Sequence, residues 1–136
     1  EPTIKNLNQQ KKIEIVYCFS RRTSNSLKLN IFENKKENSF IFPDKYFNPY
    51  WELINIADFI FVTADSISMV SDALSTGKPT YVIPIKKVKM KIKKFHLYLQ
   101  NRKFTQVYKN KLQSWNYKRF EESKKVGNEL KKLLNF

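Results

Sequence analysis

Residues 59–84 read FIFVTADSISMVSDALSTGKPTYVIP, and this stretch decides the fold. The apolar run at 59–62 predicts a buried strand, which we expect to be central because its apolar density is the highest in the chain. Gly77 and Pro79 then separate a helical stretch from a second apolar run at Thr80–Ile83. A glycine that ends a helix, followed by a proline, is typical of the return from a helix to the next strand.

A helix is predicted between these two strands. Residues 64–66 form the turn that starts it, and Asp65 or Ser66 can cap its first turn. Apolar residues recur at helical spacing along one face, namely Ile67, Val70, Ala73 and Leu74. Strand, helix and strand together indicate a β-α-β unit with parallel strands.

The same alternation of strands and helices extends in both directions. Before this unit we predict a strand at 13–19, a helix capped within 23–26, a strand at Ser39–Phe42 and a helix after Pro49. After it we predict a helix that ends near Arg102, a short strand at 104–108 and an amphipathic helix bearing Val126, Leu130, Leu133 and Leu134. The sequence therefore predicts an α/β fold: three αβα layers around a mostly parallel sheet of about five strands.

Length and composition limit the class of protein. A chain of 136 residues with 41% hydrophobic residues can bury the core of one domain, so residues 1–136 are expected to form a single domain. No apolar run approaches the ~20 residues of a membrane span, and a single cysteine excludes an intrachain disulfide. We therefore expect a soluble protein of a reducing, cytoplasmic compartment. Because the chain begins at Glu1, we also expect it to be a piece of a longer protein.

The positive charge of the chain lies in its last third. Up to Ile85 there are 10 basic and 9 acidic residues, whereas the rest has 16 basic and 3 acidic residues. Between Lys86 and Lys103 there are eight basic residues and no acidic one. Two interpretations stay open for this segment: a solvated loop, or a peripheral contact with an anionic membrane surface. Nucleic acid is not expected as a partner, because only 4 of the 26 basic residues are arginines.

Two predicted strands end in polar residues that could bind a phosphate. The first strand is followed by Ser20, Arg21, Arg22 and Thr23. The third strand is followed by Thr63, Asp65, Ser66 and Ser68. Ligands of parallel sheets bind beyond the carboxyl ends of the strands, where helix N-termini present unpaired amides. The spacing alone equally allows helix caps and surface turns without a ligand.

Other chemical candidates are weaker. Cys18 lies in an apolar strand, where an inert thiol is expected rather than a nucleophile. His96 has no second histidine or cysteine near it in the sequence, so we expect it on the surface or at the rim of a crevice and predict no metal site. Ser66, His96 and Asp72 could be combined into a triad on paper, but the chain has no nucleophile elbow. With only Gly77 and Gly127, it also lacks glycine-rich dinucleotide and P-loop motifs.

Six motifs resemble those of one known family. In chain order they are Ser20-Arg21-Arg22-Thr23, Asn48-Pro49-Tyr50, Ala57-Asp58, the segment TADSISMVSDA at 63–73, Thr76-Gly77-Lys78-Pro79 and Lys94-Phe95-His96. Together they resemble the mitochondrial-fission family named for the plant elongated-mitochondria protein, which has many bacterial relatives. More distantly, the 59–84 unit resembles the Rossmann-like C-terminal lobe of GT-B glycosyltransferases, the lobe that holds the nucleotide sugar.

The resemblance implies a role for each motif. It places Ser66 and Ser68 at a diphosphate, Arg21 and Arg22 as its neutralising charges, and Asp72 at ribose or sugar hydroxyls. Asn48 and Tyr50 would then lie near the base. The partner expected is a nucleotide or nucleotide sugar, which would be a donor substrate rather than a cofactor.

Two departures from the family limit what the resemblance implies. Asp72 stands where the family usually has glutamate, one methylene longer. The N-terminal lobe, which in GT-B enzymes supplies the acceptor site and usually the catalytic base, is absent, so these residues alone are not expected to transfer a sugar. The plant members imply an alternative function, a non-catalytic scaffold that recruits a protein partner to a membrane surface. An exposed apolar patch near Trp115 and Tyr117, or a crevice filled by side chains, would favour that alternative.

Overall fold

The computed structural model describes residues 2–10, 12–42, 49–118 and 132. Helices and strands alternate through most of the chain, in the order α1 (Pro2–Gln9), β1 (Ile15–Cys18), α2 (Asn25–Asn34), β2 (Ser39–Phe42), α3 (Tyr50–Ile56), β3 (Ile60–Thr63), α4 (Ile67–Ser75), β4 (Thr80–Ile83), α5 (Met90–Asn101) and β5 (Thr105–Gln106). The strand pairs β1–β2, β3–β4 and β4–β5 are all parallel. The α/β class and the five strands predicted from the sequence are confirmed.

The chain divides into two compact units, Glu1–Glu52 and Leu53–Phe136. The N-terminal unit contains a two-stranded sheet of β1 and β2, and the C-terminal unit a three-stranded sheet in the order β3-β4-β5. The expectation of one Rossmann-like lobe over residues 1–136 stays a prediction.

The N-terminal unit is built around the β1–β2 pair, in which Ile15 lies opposite Ser39 and Cys18 opposite Phe42. Asn38 fixes the start of this pair: its carbonyl accepts from the Ile15 amide at 2.9 Å, and its side-chain amide donates to the Ile13 carbonyl. Helix α1 was not predicted, because few apolar residues mark its face. Its Leu7 is nevertheless buried.

The centre of the C-terminal sheet is β4, whose residues Thr80, Tyr81 and Val82 are all buried. The expectation that the strand at 59–62 would be central is wrong for this sheet, where β3 pairs with β4 alone among the described strands. Apolar density reports how much of a strand is buried. It does not report how many strands pair with that strand, and for this reason the central position predicted for the strand at 59–62 is wrong.

The structure of the β3-α4-β4 unit agrees closely with the prediction from the sequence. Ser66 is the N-cap of α4, and Val70, Ala73 and Leu74 form the buried face of that helix. Gly77 has a φ of 75°, the left-handed conformation that the sequence predicted. The Ile60 amide then donates to the Pro79 carbonyl at 2.9 Å, which brings the chain back beside β3.

An aromatic cluster surrounds Tyr81 on the central strand. Its ring lies 5.0 Å from Phe61, 5.4 Å from Tyr108 and 5.2 Å from Trp115, measured between ring centroids. The Gln113 amide donates to the Tyr81 hydroxyl at 2.8 Å. These contacts hold the segment after β5 against the sheet.

Two other expectations concern the end of the chain. The amphipathic helix predicted from Val126, Leu130, Leu133 and Leu134 lies outside the described residues. In the described part of the chain, no helix is long and apolar enough to cross a membrane. The cytoplasmic location stays a prediction.

Candidate functional site

The turn between β3 and α4 lies at the carboxyl end of a parallel strand and is held on both sides. The Ala64 amide donates to the Ile83 carbonyl at the end of β4, at 2.9 Å. The Ser66 amide donates to the Thr63 carbonyl at 3.4 Å, closing the turn on itself. The turn is thereby fixed to the end of the central strand, with Thr63 exposed at its edge.

Ser66 connects this turn to helix α4. Its hydroxyl accepts a hydrogen bond from the Met69 amide at 3.2 Å, which satisfies one of the amides that a helix N-terminus leaves unpaired. The exposed Ser68 hydroxyl lies 3.4 Å from that of Ser66, and the first turn of α4 has no acidic residue. The helix therefore presents hydroxyls and the positive end of its dipole at the strand ends.

The two aspartates near this turn are both half-buried. Asp65 directly precedes the cap, so its carboxylate brings negative charge to the helix start. Asp72 lies farther along α4, and its carbonyl accepts from the Ser75 hydroxyl at 2.6 Å. The role of Asp72 at sugar hydroxyls stays a prediction.

A cavity of about 250 Å³ lies beside the turn. Its walls come from the ends of β3 and β4, from α5 and from the segment after β5: Ala64, Val82, Pro84, Ile85, Val88, Lys93, His96, Leu97, Gln100 and Val107. Its polar side chains are those of Lys93, His96 and Gln100, and Lys93 carries a positive charge. The lining is otherwise apolar, as is common in small-molecule sites.

His96 joins helix α5 to the turn. Its Nε2 donates to the Ala64 carbonyl at 2.7 Å, and only 6% of its surface is exposed. Its buried Nδ1 has no hydrogen-bond partner among the described residues. The expectation of a surface histidine is therefore wrong, because the imidazole is buried against Ala64, but it does line the cavity.

The catalytic triad of Ser66, His96 and Asp72 considered from the sequence is not formed. The Ser66 hydroxyl bonds to Met69 and Ser68, while His96 bonds through Nε2 to a backbone carbonyl. Among the described residues, no group of three or more His, Cys, Asp or Glu side chains could hold a metal ion.

The turn between β1 and α2, in the N-terminal unit, uses its hydroxyls internally. The Ser20 amide donates to the Thr23 hydroxyl at 2.9 Å, and the Arg22 amide donates to the Ser20 hydroxyl at 3.2 Å. Ser24 caps α2 by accepting from the Leu27 amide at 3.3 Å. Arg21 and Arg22 are exposed.

The remaining predicted residues are also in the N-terminal unit. Asn48 lies outside the described residues, and Tyr50 begins α3 with its ring 5.5 Å from that of Trp51. Their proximity to a base stays a prediction. Cys18 is half-buried in β1, and burial raises the pKa of its thiol, which lowers the fraction of reactive thiolate as expected for an inert cysteine.

Sequence reasoning missed the contribution of helix α5 to the cavity. Lys93, His96, Leu97 and Gln100 follow the i, i+3, i+4, i+7 spacing of one helix face. The spacing identifies this face from the sequence, but it does not indicate which other elements of the fold pack against the face. The structure shows that the face meets the ends of β3 and β4.

Comparison with known proteins identifies relatives over almost the whole chain. Residues 2–134 match the family described as Mitochondrial fission ELM1. An uncharacterized protein of Rickettsia prowazekii is 36% identical over 127 residues, which are 88% of this chain and 36% of that protein. Mitochondrial fission protein ELM1 of Arabidopsis thaliana is 32% identical over 90 residues, which are 64% of this chain and 21% of that protein. No solved structure matches. The chain thus spans about a third or less of the length of these relatives.

Proposed function

The chain belongs to the Mitochondrial fission ELM1 family, and from this premise we propose that its C-terminal unit binds a nucleotide or nucleotide sugar at the β3–α4 turn. The complete protein would then be a glycosyltransferase of the GT-B type, with this chain as its donor-binding part. The observation that carries the proposal is the serine-capped start of α4 at the carboxyl end of β3, beside a cavity that shares Ala64 with the turn.

The helix start suits the diphosphate. Backbone amides and the helix dipole favour an anion there, and the exposed hydroxyl of Ser68 can donate to a phosphate oxygen. The carboxylate of Asp65 opposes an anion at the same place, so a nearby cation is needed to offset it. In the C-terminal unit, Lys93 of the cavity wall supplies such a charge.

The cavity suits one ring of the ligand rather than all of it. Its volume of about 250 Å³ is below the ~300–1,000 Å³ of sites that enclose a drug-sized molecule. The apolar walls can pack against the face of a ring, and Nδ1 of His96 can accept a hydrogen bond from a hydroxyl or amine on that ring. This would satisfy a buried nitrogen that has no partner among the described residues.

The alternative function is a scaffold that recruits a protein partner, for which an exposed apolar patch at Trp115 and Tyr117 is expected. Trp115 and Tyr117 are half-buried: Trp115 packs on Tyr81, and the Tyr117 hydroxyl donates to the Lys78 carbonyl. In the part of the C-terminal unit that the structure describes, these two residues therefore do not form the exposed apolar patch that was expected there. Such a patch would have favoured the scaffold.

Titration calorimetry of the chain with UDP, GDP, ADP and CMP sugars tests the proposal. We expect at least one of them to bind with a dissociation constant below millimolar. Ser68→Ala should weaken that binding roughly ten- to hundredfold, the effect of losing one hydrogen bond to a charged group.

Ser75→Ala is the matched control, because Ser75 lies at the other end of the same helix. It should leave the affinity unchanged. The absence of submillimolar binding for every sugar nucleotide, or equal losses for the two variants, would refute a nucleotide site at the start of α4.

A further inference from the structure

The outer face of helix α5 combines lysines with large apolar side chains. Met90 and Leu97 are 66% and 58% exposed, and Lys94 lies between them on the same stripe of the helix. The opposite stripe is the one that packs inward, with Phe95 and Leu99 buried. A helix inside a water-soluble unit ordinarily exposes polar residues, so the outer stripe of α5 departs from that pattern.

The segment before α5 continues the same surface. Ile85 is 39% exposed, and six lysines between Lys86 and Lys94 are all exposed. We call this surface the basic face; it consists of Ile85, Lys86, Lys87, Lys89, Met90, Lys91, Lys93, Lys94 and Leu97. The sequence has no acidic residue from 86 to 118, so no carboxylate of this stretch reduces its charge.

We propose that the basic face docks on an anionic lipid surface. Each lysine near such a surface is attracted by the anionic headgroups, and exposed apolar side chains among the lysines can enter the headgroup layer. Six lysines therefore provide the long-range attraction, and Met90 and Leu97 provide a short-range contact that does not depend on charge. The strength of peripheral binding grows with both the buried apolar area and the attraction to anionic lipid, and the basic face supplies both.

The apolar residues favour lipid over nucleic acid as the partner. An RNA or DNA backbone would be attracted by the lysines, but it gains little from aliphatic side chains such as Met90 and Leu97. Binding of single strands relies on exposed aromatic rings for base stacking. The basic face has none, since Phe95 points into the core.

Ile85, Lys93 and Leu97 belong to the basic face and also line the cavity. A bilayer docked on this face would therefore lie next to the cavity. The docking itself requires no nucleotide, so its test is independent of the function proposed above.

Vesicle sedimentation of the 136-residue chain tests the docking. We expect binding to vesicles of phosphatidylcholine with phosphatidylserine, little binding to phosphatidylcholine alone, and a steep decrease as salt is added. Replacing Lys89, Lys91, Lys93 and Lys94 by Gln should lower the partition coefficient roughly a thousandfold, at about 1 kcal/mol per lysine. Met90→Gln should lower it roughly tenfold and leave its salt dependence unchanged.

The matched control removes the same charge elsewhere. Lys5, Lys12, Lys35 and Lys36 are exposed residues of the N-terminal unit, and their replacement by Gln should leave vesicle binding nearly intact. An equal loss in the two quadruple variants would overturn the proposal, because net charge alone would then explain the binding. It would also be overturned if Met90→Gln had no effect, or if the chain bound no anionic vesicle, whether or not it bound RNA in the same buffer.

Discussion

Two turns of this chain share a local design and differ in their surroundings. The β1–α2 turn and the β3–α4 turn each lead from a parallel strand into a helix capped by a serine, Ser24 in the first and Ser66 in the second. The two caps accept from the amide three residues on, at 3.3 Å and 3.2 Å. Ser24 is exposed, whereas Ser66 is buried.

The helices behind these caps differ in the same way. Helix α2 has one buried side chain, Ile31, while α4 has three, Val70, Ala73 and Leu74. The two helices also end differently, since α2 ends in extended backbone at Lys35 and α4 ends near the left-handed Gly77. The comparison shows that a serine cap determines where a helix begins but not how firmly the turn before it is held. Burial of the helix face then decides how firmly the turn is held.

The largest expected effect contrasts one buried leucine with one exposed leucine. Leu74 of α4 has no exposed surface, and Leu29 of α2 is 60% exposed. Leu74→Ala should lower the free energy of unfolding by about 2–5 kcal/mol, because it removes apolar contacts and leaves a cavity. Leu29→Ala should change it by less than about 0.5 kcal/mol.

Urea denaturation checks this contrast in a Trp51→Phe background, where Trp115 of the C-terminal unit is the only tryptophan left. The unfolding slope should stay constant between variants, so that the midpoint shift reports stability. Similar midpoints for Leu74→Ala and Leu29→Ala would contradict the packing assigned to α4.

The next effect concerns the charges that distinguish the two turns. Residues 20–23 contain Arg21 and Arg22, while residues 63–68 contain no basic residue. The family resemblance assigns the two arginines to a diphosphate. Replacing either by Ala should then weaken nucleotide binding roughly ten- to hundredfold, with little change in stability because both are exposed.

Calorimetry with the tightest sugar nucleotide of the panel measures this change. Arg→Lys at each position should recover only part of the affinity, since a point charge replaces a planar fork. Arg102→Ala is a control for net charge. An unchanged affinity in the Arg21→Ala, Arg22→Ala double variant would contradict the diphosphate role that the resemblance implies for these arginines.

The smallest expected effect is the loss of stability when either N-cap serine is replaced. Substituting an N-cap serine by alanine costs about 0.5–2 kcal/mol of stability. We expect Ser66→Ala near the upper end, since the Met69 amide would lose its partner where water has poor access. Ser24→Ala should lie near the lower end, because water can replace the exposed hydroxyl.

Denaturation of the two single variants, each with its Ser→Gly counterpart, separates the lost hydrogen bond from helix propensity. Glycine at an N-cap costs only a few tenths of a kcal/mol relative to serine. If Ser24→Ala proved the more costly change, the link drawn here between burial and cap strength would be wrong.

Much of the local structure could be predicted because its signals lie within a few residues. β2 and β4 begin and end where the sequence predicted, and Gly77 has the left-handed conformation. Ser66 caps α4 as one of the two alternatives proposed for that turn. At the candidate site, the residues of the β3–α4 turn were found in this way, because a strand end, a hydroxyl and a helix start follow one another directly.

The tertiary structure alone decided the rest. His96 bonds to a carbonyl 32 residues earlier, and the Tyr81 hydroxyl accepts from an amide 32 residues later. The central place of β4 depends likewise on which strands pair with it. Local sequence determines backbone propensity and which residues share a face of a helix or strand. It does not determine which other segment covers that face, because this depends on the packing of side chains far apart in the chain.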